Sequence, residues 1–244
     1  MSIAFLRLQK PVTAVILFLF LLYADPGYAG SCPTPSAIPP QSKKKPEPAV
    51  ADLYRKAFRL FHNARREGKD PGEAIQMFRQ CAEKGLAVAE AQLGLCFFFG
   101  DYVAQNKDSA VYWFSRAALQ GESSAQCNLA QCYYYGEGTE KDLNQAFRWY
   151  LLAARQDDVQ GMNNVAYMYE RGIGTEPDSK KAHRYYKRAA EKGYSEAQYN
   201  LGRFYMEKDS PLNRKRGKEW WKKAAAQGNR KAIQALSEWK EAEK

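Results

Sequence analysis

Residues that could catalyse a reaction or bind a metal are few in this sequence, and they are scattered. The chain contains only two histidines, His62 and His183, and no pair of histidines or cysteines has the spacing of a zinc site. The short Gly-x-Gly stretches at 136–138 and 172–174 follow predicted helices rather than strands, which is not the context of a phosphate-binding loop. Carboxylates such as Glu170 fit a solvated helix surface. The sequence therefore predicts a binding protein that has no cofactor and is not an enzyme.

The elements that must position any functional residue form a repeat. From about Leu53 onward, small and apolar residues recur every 36 residues, and the fifth copy follows at 35 because the loop before it is shorter. One recurring set is Ala89, Leu93, Gly94 and Phe97, then Ala125, Leu129, Ala130 and Tyr133; a second is Ala110, Trp113, Phe114 and Ala117, then Ala146, Trp149, Tyr150 and Ala153. Such a period indicates stacked units that bury their apolar faces only against neighbours.

Each repeat reads as a pair of helices. Stepping 100° per residue from Ala89 places Leu93 and Phe97 on one apolar stripe. Asp142 and Asp178 stand where helix N-caps are favoured, and the glycines at 136 and 172 suit C-terminal caps. The predicted helices are 52–66, 71–84, 87–99, 106–120, 123–135, 142–156, 159–171, 178–192, 195–207, 213–227 and 230–242.

These residues resemble a known family. The run 195–205, the Gly172-Ile173-Gly174 turn, and the residues around Tyr185 and Ala189 are similar to the Sel-one-like (Sel1-like) repeat, a relative of the tetratricopeptide repeat. The resemblance implies an all-α fold, a right-handed α-solenoid of five helical hairpins plus a C-terminal capping helix. It also implies an adaptor role in exported or organelle-lumen complexes. One cysteine-rich branch has a disulfide in every repeat, and this chain departs from that branch because its cysteines do not recur in pairs.

The chain is predicted to have three parts. Residues 1–29 have the basic start, apolar run and small-residue end of a secretory signal peptide, with cleavage near Ala29. Residues 30–50 are rich in proline and lysine and predict an extended linker. The solenoid covers 51–244, with repeats at about 53–88, 89–124, 125–160, 161–196 and 197–231 and a capping helix at 232–244. We therefore expect export to a bacterial periplasm or out of the cell.

Charge and the N-terminus leave alternatives open. The formal net charge of +10 favours acidic partners, anionic envelope polymers or lipid headgroups. Export argues against nucleic acid as a partner. We expect membrane association in only two cases. The first is that the N-terminal segment is retained, although its apolar run falls short of the roughly 20 residues that span a bilayer. The second is that Cys32, which follows a poor lipobox, is acylated. The leading interpretation is a scaffold that binds a protein or peptide, including an acidic one; the alternative is a binder of envelope polymers or anionic lipid through a basic face.

Candidate partner-binding residues lie opposite the apolar stripe of the first helix in each repeat, which lines the concave face in tetratricopeptide solenoids. They are Arg55, Arg59, His62, Leu95, Phe98, Gln131, Tyr134, Tyr167, Glu170, Tyr199, Arg203 and Met206. Phe98, Tyr134, Tyr167 and Tyr199 would form an apolar strip edged by arginines and suited to an amphipathic or acidic peptide. The alternative is that Phe98, Phe99, Tyr134 and Tyr135 only pack between repeats.

Two further sets of residues are predicted to be core. Trp113, Trp149, Tyr185 and Trp220 hold the same position in successive repeats and should be buried. Cys81, Cys96 and Cys132 stand at small apolar positions of the repeat, although Cys81 and Cys96 lie on adjoining helices and could form a disulfide in an exported protein. The total of five cysteines is odd, so at least one has no partner within the chain.

Overall fold

The computed structural model describes residues 46–208 and 210–242; the predicted signal peptide and most of the predicted linker lie outside them. Every regular element in these two ranges is an α-helix, and none of them is long and apolar enough to cross a bilayer. The helices are α1 (Pro48–Glu67), α2 (Gly72–Glu83), α3 (Ala87–Phe99), α4 (Lys107–Leu119), α5 (Ser123–Tyr135), α6 (Leu143–Arg155), α7 (Val159–Arg171), α8 (Ser179–Glu191), α9 (Ser195–Met206), α10 (Pro211–Ala226) and α11 (Arg230–Ala242).

The predicted capping residues end and begin the helices. Gly136 and Gly172 follow α5 and α7 with φ of 74° and 65°, the left-handed conformation that glycine adopts without strain. Asp142 accepts hydrogen bonds of 2.9 and 3.0 Å from two backbone N–H groups in the first turn of α6. Asp178 accepts one of 2.9 Å at the start of α8. These contacts satisfy N–H groups that have no partner within the helix.

Two helices begin earlier than predicted because proline starts them. α1 begins at Pro48 rather than near residue 52, and α10 begins at Pro211 rather than near residue 213. Proline suits a first helical position because no N–H group is needed there. Val50 is only 4% exposed and packs in the core. Residues 48–50, predicted as the end of the linker, are therefore part of the first helix.

The helices form a linear array. Each packs chiefly against the helices that precede and follow it, and α7 also contacts α5 and α9. Contacts between sequence neighbours alone are the packing pattern of a solenoid. Hairpins 1 to 5, which pair α1 with α2 through α9 with α10, are followed by the single helix α11. The predicted α-solenoid of five hairpins with a terminal helix is thus confirmed.

Aromatic residues of the second helices fill the core. Trp113, Trp149 and Tyr185 are 4%, 0% and 8% exposed, which confirms their predicted burial. The same prediction is wrong for Trp220, which is only half-buried, while the adjacent Trp221 is buried. Among the described residues, α11 is the single helix that packs after α10 in this array.

Four described cysteines are buried and form no disulfide: Cys81, Cys96, Cys127 and Cys132. Burial confirms the small-core interpretation of Cys81, Cys96 and Cys132, and the alternative disulfide between Cys81 and Cys96 is wrong. The Cys81 thiol instead donates a 3.6 Å hydrogen bond to the backbone oxygen of Val50 on α1. The fifth cysteine, Cys32, lies outside the described residues.

Candidate partner-binding face

All twelve predicted partner-binding residues lie on the first helices α1, α3, α5, α7 and α9. Contacts join those on neighbouring helices. The Arg203 guanidinium on α9 donates a 2.6 Å hydrogen bond to Glu170 on α7. The pKa of Tyr134 on α5 is raised by burial and then by the nearby hydroxyls of Tyr167 on α7 and of Tyr135. The first helices therefore bring the predicted residues of successive hairpins together along one face.

Five aromatic residues dominate the middle of this face, and we call them the aromatic strip: Phe98, Phe99, Tyr134, Tyr135 and Tyr167. Phe99 and Tyr135 are each 63% exposed and Tyr167 is 37% exposed. Phe98 and Tyr134 are half-buried and pack against the core. Edge-to-face contacts at 5.1 Å and 4.9 Å between ring centroids join the two adjacent pairs.

The rings of the aromatic strip differ in how far they pack into the array of helices. Phe98 has its ring centroid 6.2 Å from that of buried Phe114, so it does pack within the array. Phe99 and Tyr135, in contrast, are the last residues of α3 and α5, immediately before a glycine with positive φ. The chain turns away there, and no following helical turn covers their rings. Sequence reasoning left both residues out of the site, although their place before the capping glycine is a usable signal of exposure.

The prediction placed Glu170 and Arg203 among the residues that contact a partner. In the structure, the two side chains bind each other instead. Their side chains are 8% and 22% exposed and form an ion pair with an N–O distance of 2.6 Å. The Tyr186 hydroxyl donates a 2.9 Å hydrogen bond to the same carboxylate oxygen, and Arg203 also pairs with Glu207 at 2.6 Å. A buried carboxylate requires partners of this kind. The pair joins hairpins 4 and 5 and is not available as an isolated charge.

Tyr199 and Met206 also differ from the prediction, because they pack within hairpin 5. The Tyr199 ring stacks on Trp221 at 6.4 Å, and its backbone oxygen accepts a 3.1 Å hydrogen bond from the indole N–H. Met206 contacts the position of Gly217 on α10. A helical wheel places each residue relative to the core stripe of its own helix only. In a solenoid, the helices of the adjacent hairpins cover other sides of the same helix. The aromatic strip therefore ends in hairpin 4.

The remaining predicted residues lie toward the N-terminal end of the face. Arg55, Arg59 and His62 on α1 are exposed, and the two arginines line a shallow pocket with Tyr54 and Phe58. The His62 ring packs at 4.3 Å on Phe58. Farther along the face, Leu95 on α3 is half-buried and Gln131 on α5 is exposed.

The described residues contain no group of three or more histidine, cysteine or acidic side chains that could hold a metal ion. The chemistry that this face offers is apolar burial, aromatic stacking and hydrogen bonding through tyrosine hydroxyls. These are the properties of a binding surface.

Comparison with known proteins agrees with the repeat. The Sel1 repeat family model matches five times, at residues 66–86, 87–122, 123–158, 159–194 and 195–229. The crystal structure of a Sel1 repeat protein from Oxalobacter formigenes is 30% identical, has a TM-score of 0.70, and covers 82% of this chain and 78% of that chain. Immunity protein Pa5087 from Pseudomonas aeruginosa shares the fold at 16% identity and a TM-score of 0.51, over 83% of this chain and 74% of that chain. No curated protein matches. The chain thus belongs to the Sel1 repeat family.

Proposed function

We propose that this chain is an exported adaptor that captures a protein or peptide partner through the concave face formed by its first helices. Sel1 repeat proteins are in general scaffolds for protein–protein interaction. The observation that supports a binding role for this particular face is the aromatic strip, whose outer rings remain exposed in the middle of an otherwise packed array. Contiguous exposed aromatic rings are typical of partner interfaces.

The rings favour a partner with an apolar side. Tyrosine and phenylalanine supply large contact area and lose little conformational entropy on binding. Lys107 lies 5.3 Å from the centre of the Phe98 ring, where it also pairs with Glu137 at 2.5 Å. A partner carboxylate could exchange with Glu137 there, so an amphipathic segment with acidic residues fits the strip best.

Site-specific photo-crosslinking in the native cell tests the face. A photoreactive phenylalanine analogue replaces Tyr135, which is 63% exposed, and in a matched variant it replaces Arg148, an exposed residue of the second helix α6. We expect a discrete crosslinked partner from position 135 and none from position 148. Equal yields at both positions would contradict the proposed face, and mass spectrometry of the product identifies the partner.

A pair of double variants separates binding from folding. Phe99→Ser with Tyr135→Ser removes the exposed rings, and we expect loss of partner capture with an unchanged melting temperature. Phe98→Ser with Tyr134→Ser removes half-buried rings that contact the core, so the melting temperature should also fall. Retention of the partner by the first double variant would show that the strip is not its binding site.

Export is the second part of the proposal. Residues 1–29 lie outside the described structure, and the support is their sequence pattern alone. We expect the mature chain to begin at Gly30, which intact-mass measurement of protein purified from the native envelope or medium can test. A full-length chain found only in the cytoplasm would contradict export.

A second candidate function is attachment to an anionic surface, and the distribution of charge favours it. Residues 171–231 contain 17 lysines and arginines against 7 acidic residues, whereas residues 46–170 contain 13 against 16. An uneven field of this kind steers polyanions to one end of a molecule. Such attachment should weaken steeply between low and moderate salt, whereas capture by the aromatic strip should change little.

A further inference from the structure

A histidine in the basic part of the chain is held between hairpins 4 and 5, away from the aromatic strip. His183 on α8 is half-buried, and its Nε2 lies 2.9 Å from the Tyr205 hydroxyl on α9. Its ring also stacks on Phe204, with ring centroids 5.6 Å apart. Tyr205 and Phe204 therefore fix the position of the imidazole.

Cations approach the same rings from two more directions. The Lys208 ammonium, just beyond α9, lies 4.5 Å from the centre of the Phe204 ring. The Arg216 guanidinium on α10 lies 6.0 Å from the centre of the Tyr205 ring. Lys187 stands one helical turn after His183 on α8. Cations on α8, just after α9 and on α10 therefore lie around one half-buried imidazole.

These cations are poorly neutralised. Within residues 46–208 and 210–242, neither Lys208 nor Arg216 forms an ion pair, and Lys187 has only a 3.7 Å contact with Glu191 on the exposed surface. The equivalent of Arg216 one hairpin earlier is Lys181, which lies 5.0 Å from the centre of the Tyr169 ring but pairs with Asp178 at 3.2 Å.

The imidazole experiences the resulting positive potential. The pKa of His183 is lowered by burial first, and then by Lys208, Lys187 and Arg216. All three of these charges are positive. An anion placed among these residues would be attracted by the three cations and could accept hydrogen bonds from the guanidinium, the ammonium groups and the Tyr205 hydroxyl.

We propose that Lys187, Lys208 and Arg216, arranged around the hydrogen-bonded pair of His183 and Tyr205, form a binding site for a phosphate group. A phosphate dianion matches several converging cations better than a singly charged carboxylate does. Arginine binds phosphate oxygens through two parallel N–H groups, and lysine acts as a compact charge beside it. The site is independent of partner capture on the aromatic strip. The phosphate can belong to a soluble ion or to a lipid headgroup.

NMR titration of His183 provides a direct test. A bound phosphate cancels part of the positive potential, so it should raise the pKa of His183. By linkage, phosphate should bind more tightly to protein in which His183 is protonated. Inorganic phosphate is compared with chloride and with acetate at the same ionic strength, because screening alone also weakens the effect of the cations.

Exposed-charge variants provide the controls. Lys208→Gln and Arg216→Gln should each weaken phosphate binding about fivefold. Lys222→Gln removes the same charge from α10 at a residue paired with Glu219 at 2.8 Å, and it should have no effect. An equal response of His183 to acetate and phosphate, or equal weakening by all three variants, would overturn the site.

Vesicles distinguish the two sources of phosphate. Protein is sedimented with phosphatidylcholine vesicles that contain phosphatidylglycerol, with and without Lys208→Gln. If that substitution and added inorganic phosphate both reduce sedimentation, the site takes a lipid headgroup. If vesicle binding is absent while inorganic phosphate still raises the pKa of His183, the site takes a soluble phosphate.

Discussion

The four buried cysteines illustrate how local environment controls a reactive side chain. Each is at most 4% exposed, and burial raises the pKa of Cys96 to about 11. Cys127 donates a 3.3 Å hydrogen bond to the Asp158 carboxylate, and after burial this carboxylate raises the thiol pKa further. A thiol reacts as its thiolate, so both effects suppress oxidation and alkylation.

We therefore predict that these four thiols are unreactive in the folded protein. A disulfide exchange reagent at pH 8 should modify none of them in native Cys32→Ser protein and all four after denaturation. Mass spectrometry counts the modified residues. Rapid modification of even one thiol under native conditions would mean that its helix opens readily or that its burial is incomplete.

Glu90 is a buried acid at a position where two other repeats use an amide. Gln126 and Gln198 hold this position in hairpins 3 and 5, and each accepts a hydrogen bond from the glutamine that directly follows the second helix, at 2.9 and 2.8 Å. Glu90 accepts the corresponding bond from Gln120 at 2.6 Å and also pairs with Arg116 at 2.8 Å. Burial outweighs these partners and raises the pKa of Glu90.

The raised pKa predicts the effect of Glu90→Gln. Because the folded state holds the proton more tightly than the unfolded state, stability is lost as the pH rises from the unfolded pKa through the folded pKa. The glutamine variant lacks this loss, so its melting temperature relative to wild type should increase between pH 4 and pH 8. A difference that decreases over the same range would mean that the ion pair with Arg116 outweighs burial.

At the scale of elements, close helix contact depends on small residues. Gly202 on α9 faces α10, and a Cβ atom there would lie 2.3 Å from the Trp221 ring and 3.0 Å from the Gly217 backbone oxygen. Ala130 and Ala166 hold the equivalent position in hairpins 3 and 4, where both are fully buried. The last hairpin therefore packs more closely at this point.

We predict that Gly202→Ala destabilises the protein by about 1–3 kcal/mol, because overpacking must displace the indole ring. The matched change Ala166→Gly should cost about 1–2 kcal/mol through helix propensity and the lost contacts of a buried methyl group. Thermal unfolding gives both values, and tryptophan fluorescence reports displacement of the indole. A neutral Gly202→Ala variant would indicate that α10 shifts easily relative to α9.

Most of the elements could be predicted from the sequence, since periodicity and capping residues are local signals. The predicted helices 87–99, 123–135 and 159–171 coincide with α3, α5 and α7. Errors arose where local and tertiary signals differ. The proline-rich composition predicts a linker at residue 48, where Pro48 in fact begins a helix, and the repeat predicts a buried Trp220, which is half-buried in the structure.

At the scale of the whole molecule, the sequence predicts which helices share a face, but it does not predict which residues of that face are exposed. Residues 33 apart, about one helical turn less than the 36-residue repeat, meet across neighbouring first helices, which is why Tyr134 and Tyr167, as well as Glu170 and Arg203, come together. A helical wheel contains no information about the adjacent hairpin. It could not distinguish exposed Tyr135 from Tyr199, which stacks on Trp221.

Because the helices form a linear array, we expect the protein to unfold locally, a few hairpins at a time. Trp149 lies in the central hairpin and is 0% exposed, and helices contact almost only their neighbours in the chain. We predict that Trp149→Ala costs about 3–5 kcal/mol and acts locally. Amide hydrogen exchange should accelerate first in α5 to α8, while α1 and α2 keep wild-type protection.

Trp220→Ala, at a half-buried terminal position, should cause a smaller loss of stability, confined to α9, α10 and α11. Uniform acceleration through all helices in both variants would indicate that the hairpins unfold as a single cooperative unit, because in a nearest-neighbour array destabilisation spreads only through the interfaces between hairpins.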